Sequence, residues 1–171
     1  DLLGNVTIPE GDPTDVETSL EVSLEASSES YPLHTFNLLN DGVMEKIAKA
    51  FKLQPSEIAS ATLEAGVVKA EGFTGPADGK VAVGLTNPDG KVSYAYSANG
   101  IGFWIAADGT ASSWGDAPIY YEYDAVGYGL TVGHNPGHSE KGKTYTIKPT
   151  MVYNKGGKLH KAVITIKMKF A

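Results

Sequence analysis

The chain has 171 residues, 42% of them hydrophobic, enough to bury a real core as one domain and too apolar for a disordered reading. Its 14 basic residues are all lysine against 20 acidic ones, a net charge of −6, and it has no arginine and no cysteine. The lack of the guanidinium fork that grips phosphates and guanine edges, together with the acidic balance, argues against nucleic acid and anionic membrane as partners; the lack of thiols removes disulfides, thiolate metal sites and cysteine nucleophiles. No stretch approaches a membrane span.

Residues 1–15 are acidic and carry Pro9, Gly11 and Pro13, a flexible leader by composition, ahead of one domain over 16–171. From Val16 the chain alternates strictly: Val16, Thr18, Leu20, Val22, Leu24 and Ala26 against Glu17, Ser19, Glu21, Ser23 and Glu25, a strand with one wet acidic face. Ser27 to Pro32 turns the chain, and a short run follows over His34 to Leu39. Asn40 and Asp41 offer N-cap oxygens to a helix over Gly42 to Phe51 with Val43, Ile47 and Phe51 on one face. Pro55, Ser56 and Glu57 start a second, shorter helix carrying Ile58, Ala61 and Ala65, so that the helical segment spans 41–64.

Everything from about Val67 onward reads as β. The segment Asn87, Pro88, Asp89 and Gly90 is a hairpin turn, and with a three-residue loop it sets Thr86, Gly84 and Ala82 opposite Val92, Tyr94 and Tyr96. Ala107, Asp108 and Gly109 repeat the device between Gly102–Ala106 and Thr110–Trp114. With a glycine bulge in that turn Trp104 and Trp114 share a face; with a two-residue turn they point to opposite faces. Ile119–Asp124, Tyr128–Val132, Lys143–Tyr153 and Lys158–Phe170 supply the later strands, the last with Ile164, Ile166, Met168 and Phe170 on one apolar face. These elements predict a mainly β, α+β fold: an antiparallel β-sandwich with a small two-helix segment near the N-terminus.

Charge is split between the ends. Asp1 to Glu45 holds ten carboxylates and no lysine, while Lys141 to Ala171 holds eight lysines and no carboxylate. An early strand lying beside the last one in a single sheet accounts for this, and is favoured over a functional lysine patch.

Both tryptophans and four of nine tyrosines fall between Asn99 and Tyr128. Sugar rings offer apolar faces with a rim of hydroxyls, so a glycan site needs flat aromatic surface beside short polar groups. Trp104, Trp114, Tyr120 and Tyr123 are candidates for the surface and Asp116, Glu122 and Asn135 for the hydroxyl partners; burial of the tryptophans in the core is the competing assignment. A site for lipid or another small apolar ligand, lined by Val43, Ile47 and Phe51, and a structural spacer or adhesion role are the alternatives. No nucleophile elbow, phosphate loop or His-Glu-x-x-His helix is present, so no catalytic residue is assigned and no enzyme expected. Asp116 with Glu122 forms a carboxylate pair of glycosidase type, but any chain with 20 carboxylates offers such pairs. His134 and His138 are separated by Pro136 and Gly137, which argues against a helical metal site, and turn chemistry explains Asp78, Asp89 and Asp108 without calcium. Neither cofactor nor metal is expected.

The run Gly102, Phe103, Trp104, Ile105 through Ala107, Asp108, Gly109, then Trp114, Gly115, Asp116, Tyr120, Tyr121, Glu122 and Val132 to Gly137, resembles an uncharacterised domain family of secreted proteins and lipoproteins from gut bacteria. Gly142, Lys143, Thr144, Tyr145, Thr146, Ile147 and the helical Ile47 to Leu53 with Pro55 to Ile58 extend the likeness over about Thr35 to Phe170. The chain departs from the pattern at His134, where that family often has an aromatic residue or glutamine. Such domains accompany glycan-processing proteins. The resemblance implies an accessory, carbohydrate-binding role, secreted or on the outer surface of a Gram-negative bacterium, with room for a lipid anchor upstream. The helical segment alone is similar to the helix pair of lysin-motif domains, which bind peptidoglycan or chitin, but its flanking strands lack that motif's glycine-aspartate opening.

Overall fold

The structure, a computed structural model, describes residues 14–26, 33–62, 68–70, 73–94 and 101–171, with 68–70 described by backbone alone. The leader over 1–13, the turn over 27–32, and Leu63, Ala65 and Tyr96 lie outside the described residues.

Thirteen strands and two short helices follow one another among the described residues: β1 (Val16–Leu24), β2 (Leu33–Asn37), α1 (Val43–Phe51), α2 (Pro55–Ala61), β3 (Val68–Ala70), β4 (Phe73–Gly75), β5 (Val81–Thr86), β6 (Val92–Tyr94), β7 (Ile101–Ile105), β8 (Ala111–Ser112), β9 (Ile119–Asp124), β10 (Gly129–His134), β11 (Thr144–Ile147), β12 (Pro149–Lys155) and β13 (Lys158–Phe170). One sheet runs β1-β13-β12-β5-β6 with β11 also on β13; a second runs β2-β10-β9-β7-β8; β3 and β4 form a small hairpin. The architecture is the expected mainly β, sandwich-like one. Its main core is a cluster to which both sheets and both helices contribute, including Ile164, Ile166, Met168 and Phe170 of β13, and a smaller cluster gathers Ala82, Tyr94 and Val152.

The acidic first strand does lie beside the lysine-rich last one, with Glu21 opposite Lys167 and Ser23 opposite Lys169. The pair is parallel, a departure from the antiparallel expectation. Nearly the whole domain separates the two strands in sequence, so no tight turn dictates their direction. Asp15 anchors the start of β1: its backbone N–H donates to Lys161 O at 2.8 Å and its carboxylate accepts from Lys161 N at 2.7 Å.

Other features differ from expectation, among them β10, which runs over Gly129–His134 rather than Tyr128–Val132. The predicted strand Lys143–Tyr153 is broken at Lys148 into β11 and β12, the second opening on Pro149, and the two keep a common register against β13. Proline brings no N–H to a ladder, and it sits where the chain changes from pairing β13 alone to pairing β5 as well. The strand predicted over Thr110–Trp114 ends at Ser112. Helix α1 has no side-chain cap from Asn40 or Asp41; Gly42, in the left-handed region, occupies the N-cap, while Asn37 Oδ1 accepts from Leu39 N and Asn40 N in the turn before it. Val43, Ile47 and Phe51 are all buried, at 4% exposure or less, within the common core. Helix α2 begins with a reciprocal capping box between Gln54 and Glu57 and has Pro55 in its first turn.

Candidate functional site

The aromatic strands sort by alternation. In β9, Ile119, Tyr121 and Tyr123 turn inward and are buried, while Glu122 and Asp124 are exposed and Tyr120 is half-buried. In β7, Ile101 and Ile105 are buried, and Trp104 lies on the opposite side of the strand, half-buried. Registers then set two rows across the outer face of the second sheet. Leu33, Gly133, Tyr120, Trp104 and Ser112 are cross-strand neighbours in the first; Thr35, Thr131, Glu122 and Gly102 in the second.

In the first row the rings of Trp104 and Tyr120 lie 4.9 Å apart between centroids and tilted by 48°. In the second, Thr35 and Thr131 hydroxyls bond each other at 2.7 Å. Gly102 keeps this face low beside Glu122: a Cβ there would sit 2.6 Å from Tyr121 O and 3.1 Å from Glu122 Cβ, so only glycine lets β7 approach β9 so closely.

The three-residue form of the Ala107-Asp108-Gly109 turn is the one present. Gly109 takes φ 92°, Ala106 N donates to Thr110 O at 2.8 Å, and Trp104 pairs with Ser112. That register would put Trp114 on the face of Trp104 if the strand continued. It stops at Ser112 instead, and Trp114 stands in the following loop, 58% exposed. Asp108 accepts from Thr110 N at 2.9 Å, and this hydrogen bonding lowers its carboxyl below the usual value.

Two predicted ligand residues have other duties. Tyr123 is buried, its hydroxyl 3.9 Å from Met44 Sδ in the core; alternation puts it opposite to Tyr120 and Glu122, and burial foremost pushes its phenol up. Asn135 is 2% exposed and donates from Nδ2 to Gly115 O at 3.1 Å and Trp114 O at 3.4 Å. It braces the loop that carries Trp114 and exposed Asp116 rather than facing solvent. The structure therefore brings Trp104, Tyr120 and Glu122 together on one face, places Trp114 and Asp116 on the adjoining loop, and withdraws Tyr123 and Asn135. Leu33, Thr35 and Thr131 join the face, although the sequence reading did not select them. Alternation marks them as outward, but only the register of β2 and β10 on β9 brings them beside the aromatic pair.

Residues 30–158 match the family described as a domain of unknown function, DUF4859. The chain belongs to that family. No curated protein and no solved structure matches it. All five strands of the aromatic sheet lie within the residues matched, whereas β1 and nearly all of β13 lie outside them.

Elsewhere in this DUF4859 domain the polar side chains build structure. His134 is 1% exposed, bonded through Nδ1 to Ser139 Oγ and set 5.1 Å from the Phe170 ring; His138 is exposed in the next loop. Among the described residues no group of three or more His, Asp or Glu could hold a metal ion. Asp89 accepts from Lys91 N and Asp78 from Gly156 N, so turns occupy the aspartates that resemble calcium ligands. No helix among the described residues is long and apolar enough to cross a membrane.

Proposed function

We propose that this DUF4859 domain is a non-catalytic carbohydrate-binding module of a secreted or cell-surface protein, and that the outer face of the β2-β10-β9-β7-β8 sheet is its binding surface. The observation that carries the reading is the outward Trp104–Tyr120 pair, set beside Glu122 and the Thr35–Thr131 hydroxyls. A sugar stacks its C–H face on such rings while carboxylate and hydroxyl groups at the rim take its hydroxyls. Trp114, two residues beyond the end of β8, adds an exposed ring on the braced loop adjoining this sheet. Asp116 and Glu122 are exposed to solvent, where their carboxylates are open to the hydroxyls of a sugar. Val43, Ile47 and Phe51, the residues a lipid site would use, are already packed within the common core.

Titration of soluble polysaccharides against tryptophan fluorescence tests the reading. Trp104→Ala is expected to weaken binding by about tenfold, the equivalent of about 1.4 kcal/mol, while the outward position of the ring leaves the fold intact. Binding unchanged in Trp104→Ala and in Tyr120→Ala would refute the proposal.

A further inference from the structure

We infer that the glycan taken by this face is an uncharged polysaccharide chain, and that the sheet's own charge turns acidic glycans away; the inference rests on the carbohydrate-binding reading above. All five strands of the sheet fall within residues 33–37 and 101–134. The chain contains no lysine before Lys46, none between Lys91 and Lys141, and no arginine anywhere. The whole sheet is consequently built without one permanent cation. Its titratable bases are His34, exposed on edge strand β2, and His134, buried against Phe170; His138 follows in the next loop. Glu122 and Asp124 stand outward on β9, and Asp116 is exposed in the Trp114 loop. The lysines belong to other parts of the fold, with four of them on β13 of the opposite sheet.

Position makes this charge matter. Glu122 follows Tyr120 by two residues and is thus the diagonal neighbour of Trp104, at a distance of about 7–8 Å for such pairs. That is within about one Debye length at physiological salt, so a ligand carboxylate stacked over Trp104 feels Glu122 incompletely screened. Arginine or lysine, the usual counter-charge for uronate or sulfate groups, is missing from the entire face.

The dimensions favour a chain over a single sugar. The row from Leu33 to Ser112 crosses five strands, which at about 4.8 Å per strand spacing is about 19 Å, room for several linked rings. At the β8 edge of the sheet, on the side of β7 opposite to Trp104 where Phe103 points, lies a shallow cleft of about 750 Å³ whose lining also includes Ser112, Ser113, Ser93, Thr74 and Tyr94. Among the described residues this lining holds hydroxyls and aromatic rings and no charged group, which suits an uncharged chain passing over that edge.

Affinity electrophoresis of the full chain through gels containing matched pairs of neutral polysaccharides and their carboxymethyl derivatives, on β-1,4-glucan, β-1,3-glucan and galactomannan backbones, tests this. The expected result is retardation by at least one neutral polymer, roughly fivefold weaker binding of its carboxymethyl derivative at low salt, and narrowing of that gap in high salt. The Glu122→Gln/Asp124→Asn double variant, altered only at exposed positions, is expected to narrow the gap to about twofold. Equal or tighter binding of the carboxymethyl form, abolished by Trp104→Ala, would overturn the inference and leave the carbohydrate-binding reading standing. A gap unaltered by salt and by the double variant would also overturn it. Absence of retardation by every polymer would overturn the carbohydrate reading and this inference with it.

Discussion

Ending the chain at Lys158, where the family match stops, removes β13 and should leave a polypeptide that does not fold. Strand β13 is an interior strand of the first sheet, paired with β1 on one side and with β12 and β11 on the other. It places Ile164, Ile166, Met168 and Phe170 in the core at 1% exposure or less. Burial of one such side chain is worth about 1.5–3 kcal/mol, so the four contribute about 6–12 kcal/mol. A domain of this size is stable by only about 5–15 kcal/mol in total, and the cut also strips the ladder partners from β12. A chain of residues 30–158, which lacks β1 as well, is therefore expected to lack dispersed amide NMR signals and a cooperative urea transition, both expected of the 171-residue chain. A graded form is Ile166→Ala, which removes about three methylene equivalents at about 0.8 kcal/mol each and leaves a void, for a loss of about 3–4 kcal/mol by urea denaturation. A cooperative transition in the 30–158 chain, or a loss under about 1 kcal/mol in Ile166→Ala, would refute the placement of β13 at the heart of the domain.

Asn135→Ala removes both side-chain bonds to the Trp114–Gly115 carbonyls and should cost about 1–2 kcal/mol, read as a lower melting temperature with faster amide exchange confined to residues 113–118; unchanged exchange in that loop would show that Asn135 does not brace it. Tyr121→Phe deletes a hydroxyl that donates across the core from β9 to the Gly84 carbonyl of β5. A loss of about 1–1.5 kcal/mol in urea denaturation with an unaltered m-value is expected, and full retention of stability would deny this bond between the sheets a role.

Much of the fold is legible in the residues because its signals are local. The alternation from Val16 to Leu24 reads directly as a strand with an acidic outer face, and β9 and β13 have the predicted bounds. The Asn87-Pro88-Asp89-Gly90 loop sets Thr86 opposite Val92 and Gly84 opposite Tyr94, as its turn chemistry implies. Opposite charges at the two ends foretell that β1 and β13 are neighbours. Their parallel direction is not legible, since charge pairing is satisfied by either direction.

The site was half legible. Alternation within Ile119 to Asp124 separates Tyr120 and Glu122 from Tyr121 and Tyr123, yet composition alone drew Tyr123 into the ligand set. Composition points to Asn135 as a polar residue beside aromatics, whereas its amide is consumed by carbonyls about twenty positions earlier in the chain. Residue type and local period determined that this chain makes strands, which side of each strand is wet, and that it carries no cation between Lys91 and Lys141. Only the tertiary structure decided which wet sides adjoin: the registers of β2, β10, β9 and β7 assemble Leu33, Thr35, Thr131, Glu122, Tyr120 and Trp104 on one face. Periodicity acts within a strand, but a surface is made between strands, by backbone pairings over sequence separations that no local pattern encodes.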